Sequence, residues 1–360
     1  MSRKLCVLLL LIISSHSLAF SQTDKEKAFE KAKKAVELMD AGNIDESLTL
    51  LNEACRLDPD NIAYPYEIAY AKCITNKFDE AIPILEKLKD HRDSYDQVYQ
   101  LLGNSYDYVG NPAKALEIYN EGLKKFPRSG KLLLELGNMY VTKESYDTAL
   151  SYYEKGIENE PAFPSNYYWA CKLYMSTTEK VWGLIYGELF MNLERNSKRT
   201  AEISELLYKT YQSQIKISKD EVAVSFSENN LVKIPENGKP EDAKMPFGTG
   251  VFEILLLMSV PHEEPLNIKK LHLMRQGIVT NFYLRKFEEK YPNALFDYQK
   301  KVLDAGMMEP YNYWILMKGD EEAFKKWAAA NRDKWNAFAE WFTNNQIKLD
   351  DTNKFFTKQY

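Results

Sequence analysis

The sequence predicts an all-α chain that opens as a solenoid of about five stacked helical hairpins and continues into a helical C-terminal region. Three observations predict it. Self-similar segments begin at Ala28, Ile62, Asp96 and Gly130, each 34 residues after the last, without a gap. Small residues recur at matched positions: Ala35, Ala69, Gly103 and Gly137 in the first half of each segment, and Ser47, Ala81, Ala115 and Ala149 in the second. Glycine and proline punctuate the segments at fixed offsets, with Gly42 and Gly110 mid-segment and Pro59, Pro127 and Pro161 at segment ends.

The chain starts with Arg3 and Lys4, an apolar run from Leu5 to Ile13, and a small polar stretch ending in Ala19-Phe20-Ser21. That order reads as a secretory signal peptide over residues 1–21, cleaved before Gln22. The run is too short to span a bilayer, and Cys6 stands at its start, which argues against a lipoprotein. Export to a periplasmic or extracellular space is therefore expected. Loss of Arg3 and Lys4 makes the remainder two charges more acidic than the formal −5 of the whole chain. An acidic chain without a basic block argues against a nucleic-acid or anionic-membrane partner. A hydrophobic fraction of 45% supports a packed core over disorder. Three cysteines remain beyond the leader, Cys55, Cys73 and Cys171, all on expected helices. They read as small buried packing residues; a Cys55–Cys73 disulfide is the alternative.

The third segment carries the fullest pattern: Tyr99, Leu102, Gly103, Tyr106, Gly110, Ala115, Tyr119 and Pro127. The fourth repeats it with Leu133, Leu136, Gly137, Tyr140, Tyr146, Ala149, Tyr153 and Pro161. The first keeps Gly42, Ile44, Ala54 and Pro59. The second keeps Ala69, Phe78, Ala81 and Leu85, with Asp93 where proline is usual. This pattern resembles the tetratricopeptide repeat (TPR) family over about residues 28–163. The resemblance implies two antiparallel helices per repeat. The small residues then sit where the helices cross, and Tyr106 and Tyr119 fill the space between. A fifth, diverged unit follows from Pro164 to about Ser197, with Tyr167, Ala170, Cys171 and Tyr174. Its second helix holds Gly183 and Gly187, a smooth face for the next helix, expected over 200–214 as a cap of the array. The organisation expected is a leader over 1–21, the solenoid with its capping helix over 22–215, a linker or small hairpin over 216–247, and a helical region over 248–360.

Beyond the repeats, Val222, Val224 and Phe226 alternate with small or polar residues, and Leu231, Val232 and Ile234 follow Asn229-Asn230, which reads as a small hairpin. Pro235 to Pro246 reads as a linker. Helical patterns return over Phe252–Val260, Ile268–Lys290, Asn293–Ala305 and Glu321–Asn344. This region is either a C-terminal domain of its own or diverged hairpins that continue the solenoid. Its aromatics, Phe324, Trp327, Trp335, Phe338, Trp341 and Phe342, read as core.

Motifs for phosphate, dinucleotide or serine-nucleophile chemistry are missing, so no cofactor and no enzymatic activity are expected. His262-Glu263-Glu264 and His272 bring histidine and carboxylate together, but Pro265 interrupts them and no zinc-helix spacing is present. Gly248-Thr249-Gly250 reads as a helix entry. The TPR resemblance implies instead that the first helix of each repeat lines an inner groove. Read onto this chain, the groove residues are Tyr66, Tyr70, Asn104, Asp107, Tyr108, Lys131, Asn138, Tyr168 and Lys172. Tyrosine offers large contact area at low conformational cost. A carboxylate clamp of the chaperone-binding type is excluded: Asn104 and Lys131 fit it, but Glu135 and Gln100 stand where asparagine and lysine belong. The function expected is an extracytoplasmic protein-interaction scaffold holding a peptide or partner protein in the groove, with cell-envelope assembly as its setting. The alternatives are a glycan or cell-wall binder and, behind it, an enzyme with a C-terminal site around His262 and His272.

Overall fold

The computed structural model describes residues 23–218, 221–232, 244–261 and 266–360. The expected leader over 1–21, Ile234 with most of the expected linker, and His262, Glu263 and Glu264 lie outside the described residues. The chain divides into two compact units, one up to Pro127 and one from Arg128 to Tyr360. Both are helical.

The first unit holds six helices: α1 (residues 23–40), α2 (Ile44–Leu57), α3 (Ala63–Ile74), α4 (Phe78–Lys89), α5 (Asp96–Tyr108) and α6 (Pro112–Lys125). They pair as three hairpins, with α3 on α4 and α5 on α6. The small residues lie where expected. Ala35, Ser47, Ala69, Ala81 and Ala115 are fully buried. A Cβ on Gly103 would fall 2.1 Å from the Tyr119 ring, so only glycine admits that ring. The inter-helix turns share one backbone feature. Gly42, Asn76 and Gly110, spaced by the repeat, all take left-handed φ, of 83°, 60° and 80°. Tyr99 buries its ring and donates its hydroxyl to the Lys89 carbonyl at 2.7 Å.

The second unit begins with two more hairpins, α7 (Gly130–Val141) with α8 (Tyr146–Asn159) and α9 (Pro164–Met175) with α10 (Lys180–Leu193). Glu144 occupies the left-handed turn position of the fourth repeat, at φ 56°. The next helix, α11 (Lys198–Gln214), packs on α10 at Gly187, where a Cβ would meet Leu207, Ile203 and the Cys171 sulfur at about 3 Å; Gly183 faces Met175 of the preceding helix instead. The other side of α11 is covered by α15 (Met308–Leu316), through Ser204, which accepts from the Lys318 backbone, and Tyr208, packed on Gly319. Residues Val181 to Asn192 of α10 are buried on every side, as an all-round apolar helix requires.

The hairpin differs from the expected pairing. β2 (Val222–Val224) pairs backward with β1 (Ile215–Ile217), antiparallel, not forward with Leu231 and Val232. Carboxylates hold the strand's exit: Glu253 accepts from the backbone N–H of Phe226 and Ser227, and Glu179 from those of Glu228 and Asn229. A π-helical turn, Gly248–Phe252, leads into α12 (Glu253–Leu257). The later helices are α13 (Ile268–Leu284), α14 (Ala294–Asp304), α16 (Glu321–Ala330) and α17 (Arg332–Asn344). Two expected helices are corrected here. The first stops at Leu284, because Lys286 turns left-handed at φ 58°. The second splits at Asn331, which ends α16 and starts α17.

One apolar core runs from Leu134 to Tyr360, so repeats four and five and the C-terminal helices share it. Its centre is polar. Glu188 on α10 receives both Nη2 contacts of Arg275 on α13, at 2.7 and 2.8 Å, with both side chains about 96% buried or more. Gln299 and Tyr311 also donate to Glu188, at 2.6 and 2.8 Å. Arg275 further donates to Asn312 at 2.6 Å and to the Tyr211 hydroxyl at 3.1 Å. The chain end closes the core. Phe355 and Tyr360 lie buried among Trp182, Phe247 and Tyr291, and Arg128 grips Asp351 with two 2.8 Å contacts.

Candidate interaction surface

In the first unit the candidate residues lie on α3 and α5. Tyr66 is half-buried and meets Tyr95 edge-on at 5.3 Å between ring centroids. Burial, and then the neighbouring Glu67 charge, push the Tyr66 hydroxyl far up. Tyr70 is 42% exposed and Tyr108 is 73% exposed. Tyr108 stacks one face on Phe78, with centroids 4.6 Å apart and planes within 5°, and Asp107 beside it is exposed. Asn104 is engaged: its carbonyl oxygen accepts from Tyr119 at 2.5 Å.

Exposure extends this set. The large apolar side chains exposed in the first unit are Phe29, Val36, Tyr70, Ile74, Tyr108 and Val109. Phe29 and Val36 are on α1, Tyr70 and Ile74 on α3, Tyr108 on α5, and Val109 directly follows it. Among the described residues, none is on the second helices α2, α4 or α6. Phe29, Val36 and Ile74 escaped the reading of the sequence, although the repeat register points to them. Val36 precedes Tyr70 by one repeat, and Ile74 precedes Tyr108 by one repeat.

Carboxylates accompany this strip. Glu67 is half-buried on α3, and burial, then the Asp40 charge, raise its carboxyl above the usual range. Asp40 and Asp107 are exposed at the C-terminal ends of α1 and α5. Lys33 lies on α1 between Phe29 and Val36, and Lys72 on α3 is paired with Glu80 at 2.5 Å.

In the second unit the corresponding residues are satisfied within the chain. Lys131 lies 3.7 Å from Glu160 and over the Phe163 ring. Asn138 accepts from Tyr153 at 2.9 Å and donates to Glu135 at 3.1 Å. Tyr168 is buried and donates to Glu202 at 2.6 Å, while Lys172 donates to the other Glu202 oxygen at 2.8 Å. Lys172 and Tyr168 together hold the Glu202 carboxyl below its usual range. Beside them, α9 and α11 enclose a cavity of about 400 Å³ floored by Met175 and Leu206 and rimmed by Lys172, Glu202, Glu205 and Lys209. A larger hollow of about 610 Å³ lies between α14 and the segment after α17, lined by Asp297, Lys301, Asn344, Gln346 and Lys348 among others.

Among the described residues, His272 and Cys171 are buried. His272 sits inside the second unit, its Nδ1 3.2 Å from the Asn312 amide, and burial pushes its imidazole below the usual range. Cys171 is buried, which pushes its thiol well up, and Cys55 and Cys73 are free thiols. Among the described residues no cluster of three metal-ligating side chains occurs, and no helix is long and apolar enough to cross a membrane. The C-terminal rings pack against one another, face to face as Tyr313 on Trp327 at 4.3 Å or edge-on as Trp335 on Phe324 at 5.3 Å.

Comparison with known proteins places this geometry. The chain is 36% identical over 91 residues to a TPR repeat-containing protein of Methanocaldococcus jannaschii, covering 25% of this chain and 28% of that protein. It is 39% identical over 54 residues to Tetratricopeptide repeat protein 21A of Mus musculus, covering 15% of this chain and 4% of that protein. The chain thus spans well under a third of either relative. A solved thermophilic TPR protein of Thermus thermophilus covers 50% of this chain and 98% of its own, at 18% identity and a TM-score of 0.43. Residues 101–166 match the family model described as Tetratricopeptide repeat. The family-model match over residues 101–166 and the Methanocaldococcus jannaschii match, taken with the 34-residue register and the glycine-on-tyrosine crossings, identify the repeated hairpins of this chain as tetratricopeptide repeats.

Proposed function

We propose that this chain is an exported protein-interaction scaffold that holds a peptide or partner protein on the first-helix face of repeats one to three. One observation carries the reading: the exposed large apolar side chains of the first unit fall on α1, α3 and α5 or directly after, and not on α2, α4 or α6. Scattered exposed hydrophobics need no explanation, but a strip confined to one face of consecutive repeats marks a contact surface. Stacked repeats leave the first-helix face open, so it is the surface such an array offers to a partner. Export rests on the order of charge, apolar run and small residues at the N-terminus, and a cell-envelope setting follows from export.

The test is capture from the envelope fraction with wild type, with Tyr70→Ala/Tyr108→Ala, and with a control altered on the second-helix face, Glu117→Ala. A partner kept by wild type and the control but lost by the double variant supports the reading. Retention by all three moves the contact elsewhere. Export is tested separately, by fusing residues 1–24 to a reporter enzyme that is active only outside the cytoplasm.

A further inference from the structure

The strip in the first unit has a charge as well as an apolar surface. Its carboxylates are Asp40, Glu67 and Asp107, and among the described residues none of the three makes an ion pair or side-chain hydrogen bond within the chain. Burial, and then the Asp40 charge, raise the Glu67 carboxyl, so Glu67 lies within reach of the Asp40 carboxylate. A third feature adds to the same sign. Equivalent first helices end at residue 40, Ile74 and Tyr108, so their C-terminal dipole ends lie along the edge that holds Ile74 and Tyr108. The last turn of α5 has no basic residue to offset its dipole, and Lys72 in the last turn of α3 is committed to Glu80. Lys33 on α1 stands at the register position that Glu67 holds one repeat later, so the strip sets three carboxylates against this lysine. An apolar strip with a negative edge repels acidic segments and favours cations, which the open tyrosine faces also attract.

We infer that the occupant of this face is a basic polypeptide segment, with lysine or arginine interleaved among large apolar side chains. The apolar side chains lie along Phe29, Val36, Tyr70 and Ile74, and the cations meet Asp40, Glu67 and Asp107. The inference rests on the proposed function and adds the partner's chemistry to it.

Three synthetic peptide pools test it against the full chain by fluorescence anisotropy. All carry leucine, isoleucine, phenylalanine or tyrosine at alternate positions; the intervening residues are lysine in one pool, serine in the second and glutamate in the third. The lysine pool is expected to bind about tenfold or more tighter than the serine pool, and the glutamate pool weaker than both. Asp40→Asn/Glu67→Gln/Asp107→Asn should bring the lysine pool to the serine level and leave the serine pool unchanged. Tyr70→Ala/Tyr108→Ala should weaken every pool. Equal binding of lysine and serine pools, or tighter binding of glutamate, overturns the charge inference and leaves the groove standing. A lysine pool that binds the triple carboxylate variant undiminished also overturns it. Binding by no pool, or binding that Tyr70→Ala/Tyr108→Ala leaves untouched, removes the groove reading and the inference together.

Discussion

The Glu188–Arg275 pair joins a repeat helix, α10, to the C-terminal helix α13, and cutting it tests whether they share one cooperative core. Arg275→Met leaves the Glu188 carboxylate buried with only the neutral donors Gln299 and Tyr311, and strips partners from Asn312 and the Tyr211 hydroxyl. Removing one partner of a buried pair costs roughly 3–5 kcal/mol. The low end of that range applies here. A cavity of about 20 Å³ borders Glu188, Arg275 and Gln299, and a single water fits such a space and can solvate the orphaned carboxylate. We expect a loss of about 3 kcal/mol for Arg275→Met. Glu188→Leu should cost at least as much, since it leaves a guanidinium buried without its anion. Glu188→Leu/Arg275→Met removes both charges, so its loss should exceed the worse single variant by no more than about 1 kcal/mol. The assay is urea unfolding followed by tryptophan fluorescence. Trp169, Trp182, Trp314, Trp327, Trp335 and Trp341 all lie in the second unit, so the signal reports that unit alone. Losses in the double variant that equal the sum of the singles would refute the reasoning, as would singles that cost under about 1 kcal/mol.

Three further outcomes follow from the repeats. Gly137→Ala would place a Cβ 2.3 Å from the Tyr153 ring, and should cost about 1–3 kcal/mol, read as a lowered urea midpoint at constant slope. Glu144→Gly frees a left-handed residue from about 1–2 kcal/mol of strain, offset by glycine's 0.5–1 kcal/mol of extra chain entropy. It should therefore raise stability by up to about 1 kcal/mol, read as a higher midpoint, and a drop would show that Glu144 makes a contact worth more than its strain. Glu67 is held above its usual range, so the folded state binds its proton more tightly than the unfolded state does. Its contribution to stability is complete below the unfolded value and lost as pH rises through the folded one. Glu67→Gln should therefore slow amide exchange in α3 at neutral pH, with the gain fading in acid; a gain that persists in acid would rule out the carboxyl as its source.

The repeats were legible because independent local signals agree in them. The left-handed turn, the crossing glycine and the helix-ending proline each fix the same register, and hairpins one to four follow it. Beyond residue 200 no register exists, and single signals mislead. Glu321 to Asn344 is continuous in helical pattern, yet Asn331 breaks it. Helix α15 escaped notice because it is apolar on every side and begins beside Pro310, so it shows neither amphipathic period nor cap. Glu188 and Arg275 are 87 residues apart, and no local pattern announces that two charges will be buried against each other. At the candidate surface the register was sufficient, but it was read for polar and aromatic side chains. The aliphatics Val36 and Ile74 occupy the same positions as Tyr70 and Tyr108 and were passed over.

One register gives two outcomes, and the difference carries the functional argument. Val36, Tyr70, Asn104, Asn138 and Lys172 are spaced by one repeat along the chain. In the second unit, Asn138 is tied to Tyr153 and Glu135, and Lys172 to Glu202 and Tyr168. Those bonds lock side chains between helices, in the unit whose α10 is wholly buried. In the first unit, Asn104 is tied to Tyr119 in the same way, but Val36 and Tyr70 are left open to water, as are Phe29, Ile74 and Tyr108 around them. Tyr108 stacks one face on Phe78, but Phe29, Val36, Tyr70 and Ile74 stand outside the buried core of these hairpins. Alanine or lysine would hold a helix as well and would remove a hazard for aggregation. The excess negative charge of the chain opposes self-association, and the carboxylates beside the strip add to that repulsion there. A surface that is apolar enough to associate, and charged enough to refuse its own kind, is suited to a partner of the opposite sign.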